Sequence, residues 1–174
     1  MKAADRRIAI VDMLADHMLE HGLAASSLRA LAKAAGTSDR MLLYYFADKA
    51  DLVGAALARI AERLVGFMEA QGPRSPRDSE TVRREVAAIV LSDALWPYMR
   101  IWLELATLSA HGDPLYRGVG EAIGRGFLAW GTAQIEAPDD DTRARDAARL
   151  LASIEGLVLL KALGLDDVCE LAAL

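Results

Sequence analysis

Apolar side chains recur along this chain at spacings of three and four residues, in blocks separated by glycine, proline and small polar residues. In the first block Ile8, Val11, Ala15 and Met18 form one stripe while Asp12, Asp16 and Glu20 form another, which predicts an amphipathic helix over 5–21 that stops at Gly22. Ser27 is an N-cap for a second, short helix whose Leu28, Leu31, Ala32 and Ala35 face inward, and Gly36 ends it. Ser38 caps a third. There Leu42 and Phe46, one turn apart, anchor the helix, which leaves Arg40, Met41 and Tyr44 on the opposite face with Leu43 and Tyr45 on its flanks.

The pattern continues in longer blocks. A fourth helix over 48–71, capped by Asp48, carries Leu52, Ala56, Ile60, Leu64 and Phe67 on one face. The segment 72–78, GPRSPRD, breaks the periodicity and reads as a loop or joint. Further helices are predicted over 79–95, from Pro97 to residue 110, and from the Asp113-Pro114 start; a last long one covers 139–164. From Leu150 that last helix is apolar on more than one face. Its Leu150, Leu151, Ile154, Leu157, Val158 and Lys161 are therefore either central in their own subunit or half of an interface between subunits. No stretch alternates at period two, Ala and Leu dominate, and the expected fold class is all-α.

Composition narrows the setting. The single Cys169 cannot form an internal disulfide, no signal-peptide pattern opens the chain, and every apolar run is interrupted by charge before the roughly 20 residues of a membrane span, so a soluble, cytoplasmic protein is expected. Net charge is −5, from 20 basic and 25 acidic side chains. Residues 1–52 hold seven of each (Lys2, Arg6, Arg7, Arg29, Lys33, Arg40 and Lys49 against Asp5, Asp12, Asp16, Glu20, Asp39, Asp48 and Asp51), so the acid excess lies beyond them. Two short capped helices joined by a glycine turn, the second exposing a cation, a thioether and phenols, form the arrangement by which a helix reads a major groove. With a neutral head, binding must rest on a few placed contacts.

Taken together, Ser27-Leu28-Arg29, Leu31-Ala32, Ala35-Gly36-Thr37-Ser38, Tyr44-Tyr45-Phe46, Lys49 and Leu52, behind a long first helix, resemble the N-terminal pattern of the TetR family of bacterial regulators over about residues 6–57. The resemblance implies a three-helix helix-turn-helix head over 1–48, a linker helix, and a helical effector-binding and dimerisation body over 49–174. It implies that Ser38 opens the recognition helix, that Asp39, Arg40 and Met41 meet base edges or groove, and that Ser27, Arg29, Tyr44, Tyr45 and Lys49 grip phosphates. Such roles suit the side chains: Arg40 can be bidentate to guanine, Met41 can touch a thymine methyl, and Lys49 adds its charge to a helix N-terminus. The chain departs from the family at Leu43, commonly Tyr there, and at Tyr45, often His; leucine cannot hydrogen-bond phosphate.

The resemblance further implies a homodimer through a C-terminal four-helix bundle, a near-palindromic operator in double-stranded DNA, and repression lifted by a small apolar or aromatic effector. Trp96, Tyr98, Met99, Trp102, Phe127 and Trp130 cluster in the body, where they line a pocket or pack an ordinary core. No cofactor is expected, and no enzyme. His17-Met18-Leu19-Glu20-His21 matches the H-x-x-E-H zinc-peptidase pattern, but a zinc site needs a third ligand, and the competing reading is two solvent-facing histidines. His111 is the only other histidine, no G-x-S-x-G elbow exists, and Cys169 has no evident base. A helical interaction module without DNA binding is the remaining alternative, and it leaves the tyrosine face unexplained.

Overall fold

In the computed structural model, which describes residues 3–71 and 75–173, the elements are α1 (Ala3–His21), α2 (Leu28–Ala34), α3 (Asp39–Tyr45), α4 (Lys49–Gln71), α5 (Ser79–Val90), α6 (Trp96–Ala110), α7 (Pro114–Gln134), α8 (Asp140–Ala162) and α9 (Asp166–Ala173). The architecture is all-α, and among the described residues there is no strand. A single bridge joins Arg77 to Ile135, with Arg77 N–H donating to the Gln134 carbonyl at 2.9 Å and Glu136 N–H to the Arg77 carbonyl at 2.7 Å. Residues 72–74 of the joint expected over 72–78 lie outside the described residues. Two compact units make up the chain: one runs up to Leu64 and adds Arg100–Gly120, the other comprises Val65–Met99 and everything from Glu121 onward.

The first unit is centred on α1 to α3 and the first four turns of α4. Ile10, Leu14, Ala15 and Met18 of α1, Leu31 and Ala32 of α2, Leu42 of α3 with Phe46 beyond it, and Leu52, Ala56, Leu57 and Ile60 of α4 are buried. Ile8, expected on the inward stripe, is 60% exposed, so the stripe begins at Ile10 and Val11. Two glycines set the bends. Gly22 ends α1 with φ +84°, and Gly36 follows α2 with φ +60°, where Thr37 N–H reaches back to the Ala32 carbonyl at 2.9 Å; side chains rarely adopt that backbone. Across this unit Asp12 Oδ1 accepts from Arg59 Nε at 2.7 Å and an Arg63 terminal nitrogen at 2.8 Å, tying α1 to α4.

The second unit is built on α5, α8 and α9, which pack on one another. The expected helix over 79–95 ends at Val90. Ser92 closes a turn by donating its hydroxyl to the Ile89 carbonyl at 2.6 Å and accepting Leu95 N–H at 3.1 Å, and α6 then starts at Trp96, so that Pro97, which has no N–H, falls in a first turn. At the far end Gly164, φ +76°, ends the helix begun after the Asp139 cap, and α9, absent from the expectation, follows. It buries Cys169, whose thiol donates to the Leu157 carbonyl at 3.5 Å.

Candidate nucleic-acid interface

α2, α3 and α4 each start on a side-chain oxygen that takes an otherwise free backbone N–H. Ser27 Oγ accepts Ala30 N–H at 3.2 Å, Ser38 Oγ accepts Met41 N–H at 3.3 Å, and Asp48 Oδ1 accepts Asp51 N–H at 2.8 Å. Asp51 answers by accepting Ala47 N–H at 3.0 Å, so the start of α4 is a reciprocal box with carboxylates at both corners. Lys49 is exposed on its first turn.

α3 is seven residues long and held by Leu42, fully buried, and Phe46 just past its end. With those two inward, Asp39, Arg40, Met41 and Tyr44 stand in solvent, and the Tyr44 side chain is 73% exposed. Leu43 is exposed beside them, and Tyr45 is half-buried, its ring edge-to-face with Tyr44 at 5.2 Å between centroids. A shallow concavity runs along α2 and the start of α3, lined by Ser27, Arg29, Ala30, Lys33, Thr37 and Asp39. The structure therefore brings Ser27, Arg29 and Asp39 together, places Arg40, Met41 and Tyr44 on the outer face of α3, and sets Lys49 on the next helix. Lys33 and Thr37 join this surface without having been singled out. Lys33 lies one turn beyond Arg29 on the polar side of α2, a spacing that was there to be read.

Arg7, in the sequence only one of seven cations in residues 1–52, also has a structural part here. Its guanidinium lies 4.6 Å over the Phe46 ring, its Nε donates to the Tyr45 carbonyl at 3.4 Å, and a terminal nitrogen stands 3.7 Å from Asp51. It thus braces the end of α3 from α1.

The remaining candidates fall elsewhere. Trp96, Tyr98, Met99, Phe127 and Trp130 lie in the second unit and Trp102 in the first. Met99 is buried and the others half-buried; Phe127 and Trp130 rings stand 5.6 Å apart, and the Lys161 ammonium sits 4.9 Å over the Trp96 ring while donating to the Leu91 carbonyl. A concavity of the second unit is lined instead by Pro76, Ala129, Thr132, Ala133, Ile135, Glu136 and Arg143. On α8, Leu150, Ile154, Leu157 and Val158 are buried in the chain's own core, with Leu151 and Lys161 half-buried. The face left open carries Leu159, 51% exposed, and beyond it Leu163, 66%.

His17 and His21 stack edge-to-face at 4.5 Å. His17 is not solvent-facing at both ends: its Nε2 is sealed with no hydrogen-bond partner, and burial, then the neighbouring His21, lower its pKa. Among the described residues no three or more His, Cys, Asp or Glu side chains converge as metal ligands. Nor, among them, is any helix long and apolar enough to cross a membrane.

Residues 10–56 match the family model described as bacterial regulatory proteins, tetR family. The HTH-type transcriptional regulator BetI of Burkholderia cenocepacia is 28% identical over 172 residues, covering 97% of this chain and 88% of that protein. A solved transcriptional regulator of Streptomyces coelicolor superposes with a TM-score of 0.70 at 28% identity, covering 91% of this chain and 87% of that one. A regulator of Saccharomonospora viridis, solved in complex with choline, superposes with a TM-score of 0.67 at 18% identity, covering 97% and 94%.

Proposed function

We propose that this chain, whose residues 10–56 match the family model of bacterial regulatory proteins, tetR family, is a DNA-binding regulator of that family, acting as a cytoplasmic homodimeric repressor that leaves a near-palindromic operator when a small molecule binds its body. The observation that carries the reading is α3: capped by Ser38, seated on Leu42 and Phe46, and presenting Asp39, Arg40, Met41 and Tyr44 to solvent. Residues 1–48 act as the reading head and 49–174 as the body. Arg40 and Met41 address base edges with Asp39 beside them. Arg29, Lys49 and the hydroxyls of Ser27, Tyr44 and Tyr45 hold phosphates, and Ser38 fixes the start of the recognition helix.

Leu43, exposed among these, contributes only apolar contact, so Tyr44 and Tyr45 carry the phenolic share of the grip. Exposed apolar residues support the dimer: Leu159, Leu163, Leu165, Val168 and Leu171 lie along the end of α8 and α9. Leu151 and Lys161 border them, while Leu150, Ile154, Leu157 and Val158 support that surface from inside. For the effector an apolar or aromatic molecule bound beside Trp96, Tyr98, Met99, Phe127 and Trp130 of the second unit is the class proposed. Choline, held by the Saccharomonospora viridis regulator, is the comparison ligand for titrations of tryptophan fluorescence.

The test is retardation of a DNA fragment from beside the gene. Arg40→Ala should weaken binding to that fragment by about tenfold or more, roughly the 1–3 kcal/mol of a bidentate base contact, and binding to random DNA far less. Equal losses on both would move Arg40 to phosphate positioning. A wild-type protein that does not bind the fragment in a salt-dependent way removes the reading. Leu163→Glu should turn a dimer into a monomer in sedimentation, and a wild-type monomer at micromolar concentration would overturn the interface.

A further inference from the structure

Two side chains of α6 reach back to the segment that joins α1 to α2. Glu104 Oε2 accepts the backbone N–H of Leu23 at 2.8 Å and that of Ala24 at 3.0 Å. One helical turn earlier on α6, Arg100 donates to the Leu19 carbonyl at 3.0 Å. These are the polar groups a helix end leaves over. The last regular bond at the end of α1 runs from Gly22 N–H to the Met18 carbonyl at 2.8 Å, and the Leu23 amide that would continue the ladder to Leu19 goes to Glu104 instead. α6 thus supplies a cation for the stranded carbonyl and an anion for the stranded amides, at positions i and i+4. The cation also meets the negative end of the α1 dipole.

Gly22 is shaped to this contact twice over. Its φ of +84° favours glycine, and a Cβ built there would stand 2.5 Å from Glu104 Oε1. The turn is stiffened from within as well: the Ser26 hydroxyl donates to the Gly22 carbonyl at 2.8 Å, and Ser27, the next residue, caps α2. Whatever fixes Leu23 and Ala24 therefore fixes the start of the helix-turn-helix.

We propose that Glu104 and Arg100 are positioning residues for DNA reading: they clamp the α1–α2 turn and set the entry of α2 and with it the seat of α3. The proposal rests on the DNA-binding reading. It is tested in the full-length protein with Glu104→Ala, Glu104→Gln and Arg100→Met, measuring amide exchange by NMR, melting temperature, and affinity for the retarded fragment at one salt concentration. Glu104→Ala should speed exchange at Leu23 and Ala24 and weaken the fragment by about tenfold, the scale of losing charge-assisted hydrogen bonds, while the Phe46 amide inside the head keeps its protection. Both amides share one oxygen, so Glu104→Gln, whose amide oxygen can accept both, should restore affinity to within about threefold. Arg100→Met should give an intermediate loss.

Faster exchange at Leu23 and Ala24 with unchanged affinity would overturn the proposal, as would unchanged exchange. So would a loss that merely follows the unfolded fraction and is not restored by Gln. Should Glu104→Ala fail to fold, Arg100→Met decides: native affinity in a folded Arg100→Met protein whose Leu19–Ala24 turn has loosened ends the argument. If the wild type binds no DNA the functional reading falls, and the exchange pattern still reports whether the clamp forms.

Discussion

Replacing Asp12 by Ala removes the one carboxylate that α1 shares between two arginines of α4. Asp12 Oδ1 accepts from Arg59 Nε at 2.7 Å and from Arg63 at 2.8 Å, and the three side chains are 32%, 39% and 26% exposed. Exposed ion pairs contribute about 0–1 kcal/mol, because water competes and long side chains lose freedom. Arg59 is the most solvated of the three, so its arm adds least. The Arg63 arm sits at the upper end, since Arg63 is the most covered of the three and its other nitrogen stays fixed at 2.6 Å to Asp16. That remaining contact, and the one from Arg59 to Glu62 at 3.0 Å, also catch the arginines once Asp12 is gone. Asp12→Ala should therefore cost about 1 kcal/mol, or roughly 2–4 °C in Tm for a chain of this size.

The assay is a denaturant cycle of Asp12→Ala, Arg63→Met and the double variant, with Met chosen to keep the apolar stem of Arg63 in place. The coupling should be about 0.5–1 kcal/mol in low salt and shrink in 1 M salt. The hydrogen bond from Arg59, then that from Arg63, holds the Asp12 carboxyl below its ordinary range. A folded pKa below the unfolded one means that the folded state binds the proton less well. The contribution is thus complete above about pH 4, the unfolded carboxylate value, and is lost as pH falls through the lower folded value. Wild type and Asp12→Ala should differ most at neutral pH and converge toward pH 3. A coupling below about 0.3 kcal/mol, or stability curves that stay parallel down to pH 3, would refute the reasoning.

Ser38→Ala should cost about 1 kcal/mol by leaving Met41 N–H without its cap, and should speed exchange there; equal exchange in both proteins would show the cap to be idle. For His17, burial and then His21 lower the folded pKa, so its neutral form is the stable one: stability is complete above about pH 6.5 and falls as pH drops through the folded value. His17→Leu should flatten urea midpoints between pH 7.5 and 5.5, and an unchanged slope would sink that account. Leu157→Ala, at a site only 3% exposed, should cost about 2–5 kcal/mol by thermal melting, with a loss under 1 kcal/mol contradicting the core assignment.

The helix ends of the head were legible because each answers a local demand. Ser27, Ser38 and Asp48 stand where free amides need an oxygen within three residues, and Gly22 and Gly36 where the chain turns through positive φ. The outward face of α3 followed from Leu42 and Phe46 alone, since two buried residues one turn apart fix the rotation of so short a helix. What escaped depended on distant neighbours. Arg7 meets the Tyr45 carbonyl and Glu104 meets Leu23 and Ala24 across tens of residues, and no periodicity encodes which partner lies opposite. On α8 the pattern announces apolar residues on more than one face, but only packing against α5 and α9 separates the inner Leu150, Ile154, Leu157 and Val158 from the outer Leu159. The break after Val90 was hidden because Leu91 and Leu95 continue the apolar rhythm while Ser92 bends the chain.

The neutral formal charge of residues 1–52 understates the positive character of the reading surface, since several of the acids are already engaged. Asp48 and Asp51 serve backbone amides, Asp51 also meets Arg7, and Asp12 and Asp16 are held by Arg59 and Arg63 from beyond the head. Arg29, Lys33, Arg40 and Lys49, by contrast, are exposed and form no ion pair among the described residues. If Arg40 reads bases, each head offers Arg29, Lys33 and Lys49 to phosphates, and a dimer offers about six cations, which sets a salt slope of at most about −5 for log affinity against log salt. Lys33→Ala and Lys49→Ala should each remove two of those contacts per dimer and flatten the slope by up to about 2, on operator and random DNA alike. A wild-type slope well beyond −5 would mean that cations outside α2, α3 and the start of α4 also reach the backbone, and the surface drawn here would be too small.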